Sequence, residues 1–151
     1  MKVASGLSTA QVVMVLGKIP FFRAFSVAER ERLADEASSF RVARPGEVFV
    51  RSGQNDHSFY ILLSGAVEVC ASEQSPAVAL TPGDVVGEIG FLAKTPRTRD
   101  VKASEASILL CIDQPLMSVL RCEIREKIKD ELIRRLLLRF MPEQSSDHSP
   151  S

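Results

Sequence analysis

The feature that most restricts how this chain can fold is a run of short apolar segments between about residues 40 and 112, each stopped by turn residues. Pro45-Gly46 precedes Val48-Phe49-Val50, and Gly53 to Asp56 precedes Phe59-Tyr60-Ile61-Leu62-Leu63. Ser64-Gly65 leads into Val67 and Val69, which alternate with Glu68 and Cys70. Pro82-Gly83-Asp84 forms a further turn. Val101 and Ala103 alternate with Asp100, Lys102 and Ser104, and Ile108 to Ile112 is continuously apolar. Apolar alternation suits a pleated, half-buried surface, and the Gly, Pro and Asp clusters supply the reversals. Strands at this spacing predict an all-β sandwich, jelly roll or barrel.

Helical patterns flank this region. Residues 8–38 read as helical: Ser8-Thr9 caps a helix through Val12, Val13, Val15 and Leu16, ended by Gly17 and Pro20. After Phe21, Phe22 and Phe25, Ser26-Val27-Ala28-Glu29 is a capping box for a second helix, with Leu33 and Ala37 on one face. Residues 114–140 read as a short helix with Leu116, Met117 and Leu120, then a long one with Ile124, Ile128, Leu132, Leu136 and Phe140 at four-residue steps. Glu123/Lys127 and Glu131/Arg135 are favourable i,i+4 pairs. The expected layout is therefore one domain over residues 1–140, mainly β with flanking helices (α+β). Residues 141–151, Ser-rich and polar, are expected to be a disordered tail.

Composition excludes several function classes. Lys and Arg balance Asp and Glu at 19 each, which leaves no global field for nucleic acid or an anionic membrane. No segment approaches the ~18 apolar residues of a membrane span. The three cysteines, Cys70, Cys111 and Cys122, are odd in number and widely spaced, so they suggest a reduced, cytoplasmic setting rather than a disulfide framework. His57 and His148 have no Cys or His at ligand spacing, so no metal site is expected. No nucleophile elbow or triad motif occurs, and no catalytic residues are expected.

One stretch breaks the β pattern: Gly87-Glu88-Ile89-Gly90-Phe91-Leu92, followed by Thr95-Pro96-Arg97-Thr98. Two glycines within four residues let the backbone approach a ligand closely. A helical turn starting here would aim free N–H groups at an anion. Arg97 offers a bidentate fork to phosphate oxygens, and Glu88 can accept from a sugar hydroxyl. The combination suits a ligand with a phosphate and a hydroxylated sugar. Taken alone, the same residues also read as an ordinary turn and a solvated loop arginine.

The stretch Val86-Gly87-Glu88-Ile89-Gly90-Phe91-Leu92, then Arg97-Thr98-Arg99-Asp100-Val101, resembles the phosphate-binding cassette of the cyclic nucleotide-binding domain family. Ile19-Pro20-Phe21-Phe22, Pro45-Gly46-Glu47-Val48 and Ser58 to Val69 are similar to other segments of that family, in order. The resemblance spans roughly Val15 to Phe140. It implies a β jelly-roll barrel over residues 40–112, with N-terminal helices and a C-terminal lid or dimerisation helix. The implied ligand is cAMP or cGMP, with no other cofactor. Arg97 would pair with the cyclic phosphate and Glu88 with the ribose 2′-hydroxyl. The N–H groups of Ile89, Gly90 and Thr98 would add hydrogen bonds, with Gly87 and Arg99 completing the ligand-binding set. Arg99 stands where the family usually has a small residue: pointing inward it adds charge or obstructs, pointing outward it is harmless. Asp100 departs from the commonest hydroxyl residue.

In transcription-factor relatives a DNA-binding domain follows the long helix. The resemblance is instead to a stand-alone, bacterial-like member that binds no nucleic acid. The expected role is a non-enzymatic sensor that signals through its C-terminal helix to an effector protein or by self-association. The alternative is a barrel that has lost its ligand and acts as a protein-interaction module.

Overall fold

The computed structural model describes residues 1–141. Of the expected tail, residues 142–151 lie outside the described residues, as does His148. Two compact units are distinguished, Met1–Leu120 and Arg121 onward.

The first unit opens with strand β1 (Lys2–Val3) and helix α1 (Thr9–Gly17). As the sequence predicts, Ser8 caps α1, and Gln11 closes the capping box. A 3₁₀ turn (Pro20–Phe22) leads to α2 (Val27–Ala34), where Ser26 and Glu29 form the second box. The strands follow: β2 (Phe40–Ala43), β3 (Val48–Val50), β4 (Phe59–Ser64), β5 (Val67–Val69), β6 (Val78–Leu80) and β7 (Val85–Val86). Helix α3 (Glu88–Ala93) interrupts them before β8 (Val101–Ala103) and β9 (Ser107–Ile112), and α4 (Gln114–Val119) ends the unit.

The strands form two antiparallel sheets, ordered β1-β2-β9-β4-β7 and β3-β8-β5-β6. This is the jelly-roll sandwich that the turn spacing implies. Strands β1, β2, β6 and β7 were not singled out in the sequence, whereas the similarly short β3, β5 and β8 were, because turn residues or clear alternation mark them.

Strand β4 is apolar from Phe59 to Leu63 because both its faces are covered there, and it ends in the exposed Ser64. Tyr60 and Leu62 enter the core between the sheets, with Val50, Val67, Val86, Val101, Ala103, Leu109 and Cys111. By the two-residue alternation, Phe59 and Ile61 face the other way. There Phe59 meets Phe21 at 6.1 Å and Phe91 of α3 at 4.9 Å between ring centroids. A row of aromatic rings thus connects the turn before α2 with α3.

The second unit is α5 (Cys122–Phe140). Ile124, Ile128 and Leu132 share one face, and Glu131 pairs with Arg134 and Arg135 at 3.2 and 2.8 Å. Leu137, Leu138 and Phe140 are exposed. No helix among the described residues is long and apolar enough to cross a membrane.

Tyr60, the chain's single tyrosine, stacks edge-on against Phe49 at 5.4 Å. Burial pushes its phenol up to about 12, against a smaller opposing hydrogen bond with Ser58. A raised phenol favours the neutral form, so this contribution to stability is complete below the ordinary value of 10.0 and is lost as pH rises toward about 12. An alkaline titration followed by phenolate absorbance should show no transition near the ordinary value. Ionisation should arrive close to 12, or together with unfolding. A reversible transition at the ordinary value with the fold intact contradicts the packing described.

Candidate functional site

The segment expected to form the cassette lies at one end of the neighbouring strands β4 and β7. Register pairs Tyr60 with Val86 and Ile61 with Val85. That pairing brings the residues just before β4 beside those just after β7. Gly87 caps α3 in a left-handed conformation, φ 87°. A Cβ there would stand 2.3 Å from Arg97 Nη1, so only glycine leaves room for the arginine. At Gly90 a Cβ would come within 3.4 Å of the same nitrogen.

Arg97 is buried, with 6% of its surface exposed. Its Nη2 donates to the Ser58 carbonyl at 2.6 Å and lies 3.4 Å from both the Ser58 hydroxyl and Asp56 Oδ2. Nη1 donates to the Gly87 carbonyl at 3.4 Å. Nε–H is buried too and meets no protein acceptor. The arginine backbone is fixed as well: its N–H donates to Gln54 O and its carbonyl accepts from Gly53 N–H, both at 2.8 Å.

Asp56 and Ser58 join the Arg97 cluster, although the sequence reading gave neither a role. Asp56 Oδ1 accepts from the Ser58 N–H at 3.0 Å and from its hydroxyl at 2.8 Å, a side-chain-closed turn. The local signal was an Asp two residues ahead of a Ser at a strand start. What it could not show was the partner 39 residues away. Burial pushes the Asp56 carboxyl up, but the two bonds from Ser58 and the Arg97 charge outweigh this and leave it below the ordinary carboxylate value.

The other expected residues divide. Glu88 is buried in the first turn of α3, while Ile89 and Thr98 are exposed. Arg99 does not join the Arg97 cluster. Its Nε donates to the Cys70 carbonyl at 2.9 Å and its Nη2 to the Pro76 carbonyl. Asp100 Oδ1 accepts from the Ser52 N–H at 2.7 Å. The two departures from the family pattern are therefore engaged by neighbouring loops. Lys94 ends α3 at φ 59° with its ammonium 5.6 Å from the Phe91 ring centroid. Among the described residues no group of three or more His, Cys, Asp or Glu is placed to hold a metal.

A buried guanidinium whose Nε–H meets no protein acceptor, beside two glycines and a short helix, has the chemistry to take an anion. Comparison with known proteins bears on which one. A cAMP-dependent protein kinase regulatory subunit of Hypocrea atroviridis is 30% identical over 89 residues, covering 59% of this chain and 19% of that protein. The Acetyltransferase Pat of Mycolicibacterium smegmatis is 34% identical over 96 residues, covering 62% of this chain and 28% of that protein. The chain thus spans less than a third of the length of these curated relatives. The regulatory subunit of a cAMP-independent protein kinase A from Trypanosoma brucei superposes with a TM-score of 0.69 at 22% identity, over 95% of this chain and 50% of that one, a likeness of fold. The model of the cyclic nucleotide-binding domain matches residues 40–120, which include every residue of the Arg97 cluster and more than half of the chain. This protein therefore belongs to the cyclic nucleotide-binding domain family.

Proposed function

We propose that this chain is a receptor module for a cyclic nucleotide, cAMP or cGMP, and that it acts by binding rather than by catalysis. The observation that carries the reading is the buried Nε–H of Arg97, which meets no protein acceptor. A phosphate oxygen is a strong acceptor for it, and a charged hydrogen bond contributes roughly 1.5–3 kcal/mol. The N–H groups of Ile89, Gly90 and Thr98 complete the phosphate contacts, and Glu88 takes the ribose 2′-hydroxyl. Relatives named as cAMP-dependent kinase regulatory subunits support the choice of ligand class. Signal output passes through α5 to a cytoplasmic effector protein or a second copy, by a shift between two pre-existing arrangements.

A second reading, a barrel without ligand that serves as an interaction module, is favoured by one observation. Three of the groups around Arg97 are already protein acceptors: Ser58, Gly87 and Asp56.

Calorimetric titration of the purified chain with cAMP and cGMP separates the two. Saturable binding at micromolar levels or tighter is expected. No heat and no thermal shift with either nucleotide, after removal of co-purified ligand, favours the interaction module. Arg97→Ala should weaken binding by about tenfold or more, from the loss of one charged hydrogen bond, with the barrel still folded.

Two further variants test the remaining parts. Gly87→Ala forces a methyl into the space of Arg97 Nη1 at an unfavourable φ. It should lower both the melting temperature and the affinity, and an unchanged affinity would show that Arg97's placement is irrelevant. Glu88→Ala should weaken the parent nucleotide but leave its 2′-deoxy analogue unaffected. Equal binding of the two ligands by the wild type removes Glu88 from the sugar.

A further inference from the structure

The loop joining β5 to β6, residues 70–77, reverses through reciprocal hydrogen bonds between Ser72 and Ser75. The β5–β6 ladder ends at the pair Val69/Val78. The carbonyls of Cys70 and Pro76 lie just beyond it, one on each arm of the loop. Arg99 donates to both. Its fork therefore closes the base of the hairpin, which a lysine ammonium, a single point donor, does less completely.

The same short segment is tied on its other side to the β3–β4 loop. Ser52 donates its N–H to Asp100 and its hydroxyl to the Thr98 carbonyl, at 2.7 and 3.3 Å. Residues 98–100 precede β8, which begins at Val101, and the Cys70 N–H donates to the Asp100 carbonyl at 2.8 Å. The side-chain ties of Arg99, Ser52 and Asp100 add to this bond and to the backbone bonds of Arg97 with Gln54 and Gly53.

We propose that Arg99 is a positioning residue that couples the β5–β6 hairpin to the phosphate site: it holds Thr98 and Arg97 in register without touching the ligand. The proposal rests on the cyclic nucleotide reading above. It makes the hairpin part of the binding equilibrium, so ligand binding orders the hairpin and loss of the clasp weakens the ligand.

The test is a double-mutant cycle in the full chain, read by titration with cAMP and cGMP and by hydrogen exchange. Arg99→Ala should weaken binding roughly threefold to thirtyfold, the range for coupling residues that do not contact ligand. Arg99→Lys should recover part of the loss. In an Arg97→Ala background, Arg99→Ala should change affinity by no more than about twofold, because its effect passes through Arg97. Nucleotide should protect the amides of residues 70–77 in the wild type and not in Arg99→Ala. Equal losses in both backgrounds indicate general destabilisation and overturn the proposal, as does wild-type affinity in Arg99→Ala. If Arg99→Ala does not fold, Arg99→Lys carries the same cycle, and the same outcomes decide. A wild-type chain that binds neither nucleotide overturns the binding reading itself, which is a distinguishable failure.

Discussion

The site depends on keeping a guanidinium nearly out of water. Moving an ion of this kind into the protein costs several kcal/mol unless its donors are met. Here two carbonyls and one carboxylate meet part of that need while Nε–H stays unmet, and two of these acceptors depend on a special local structure. Asp56 is aimed by the turn it closes with Ser58. The Gly87 carbonyl is turned toward Arg97 by a left-handed glycine at the head of α3. Neither structure is stable in isolation, and each exists because it is anchored to a strand.

The anchors are β4 and β7. Ser58 precedes the most continuously buried strand of the barrel, and Gly87 follows that strand's neighbour. The pairing of Tyr60 with Val86 puts the two carbonyls on either side of Arg97. A one-residue slip would send Val86 out of the core and carry the Gly87 carbonyl away with it. The register is held by the same burial that raises the Tyr60 phenol, so core packing and site geometry are one constraint. Phe59 adds a second hold, packing Phe91 of α3 on the face of β4 turned away from Tyr60.

This division explains what could be read from the chain. Helix starts were legible because a cap acts over three residues: Ser8 caps its helix and Ser26 boxes with Glu29 as the spacing indicates, and Gln11 completes the first box. The longer strands were legible from alternation and turn residues, and the cassette from its glycines and arginine. Strands β1, β2, β6 and β7 were not, since no clear alternation or turn-flanked apolar run set them apart as it did the similarly short β3, β5 and β8. Asp56 and Ser58 were not, because their role exists only through a contact with Arg97 across the fold. Arg99 shows the same limit from the other side. Alternation left open whether it enters the pocket or leaves it, and the choice was made by two carbonyls at the base of a hairpin with nothing in their local sequence to announce them.

The partners of Arg97 also bear on how an anion could compete for it. Asp56 is 40% exposed at the side chain, whereas Arg97 is 3% exposed. Asp56 approaches Nη2, whereas the unmet donor is Nε, so an anion reaching Nε need not displace the carboxylate or either carbonyl. A charged hydrogen bond to that buried donor contributes roughly 1.5–3 kcal/mol. Asp56 acts as a counterion that keeps the guanidinium in place at small cost to any ligand, since its own hydrogen bonds are with Ser58. The protein acceptors around Arg97 are thus compatible with a receptor: they orient the arginine while Nε–H meets no protein acceptor.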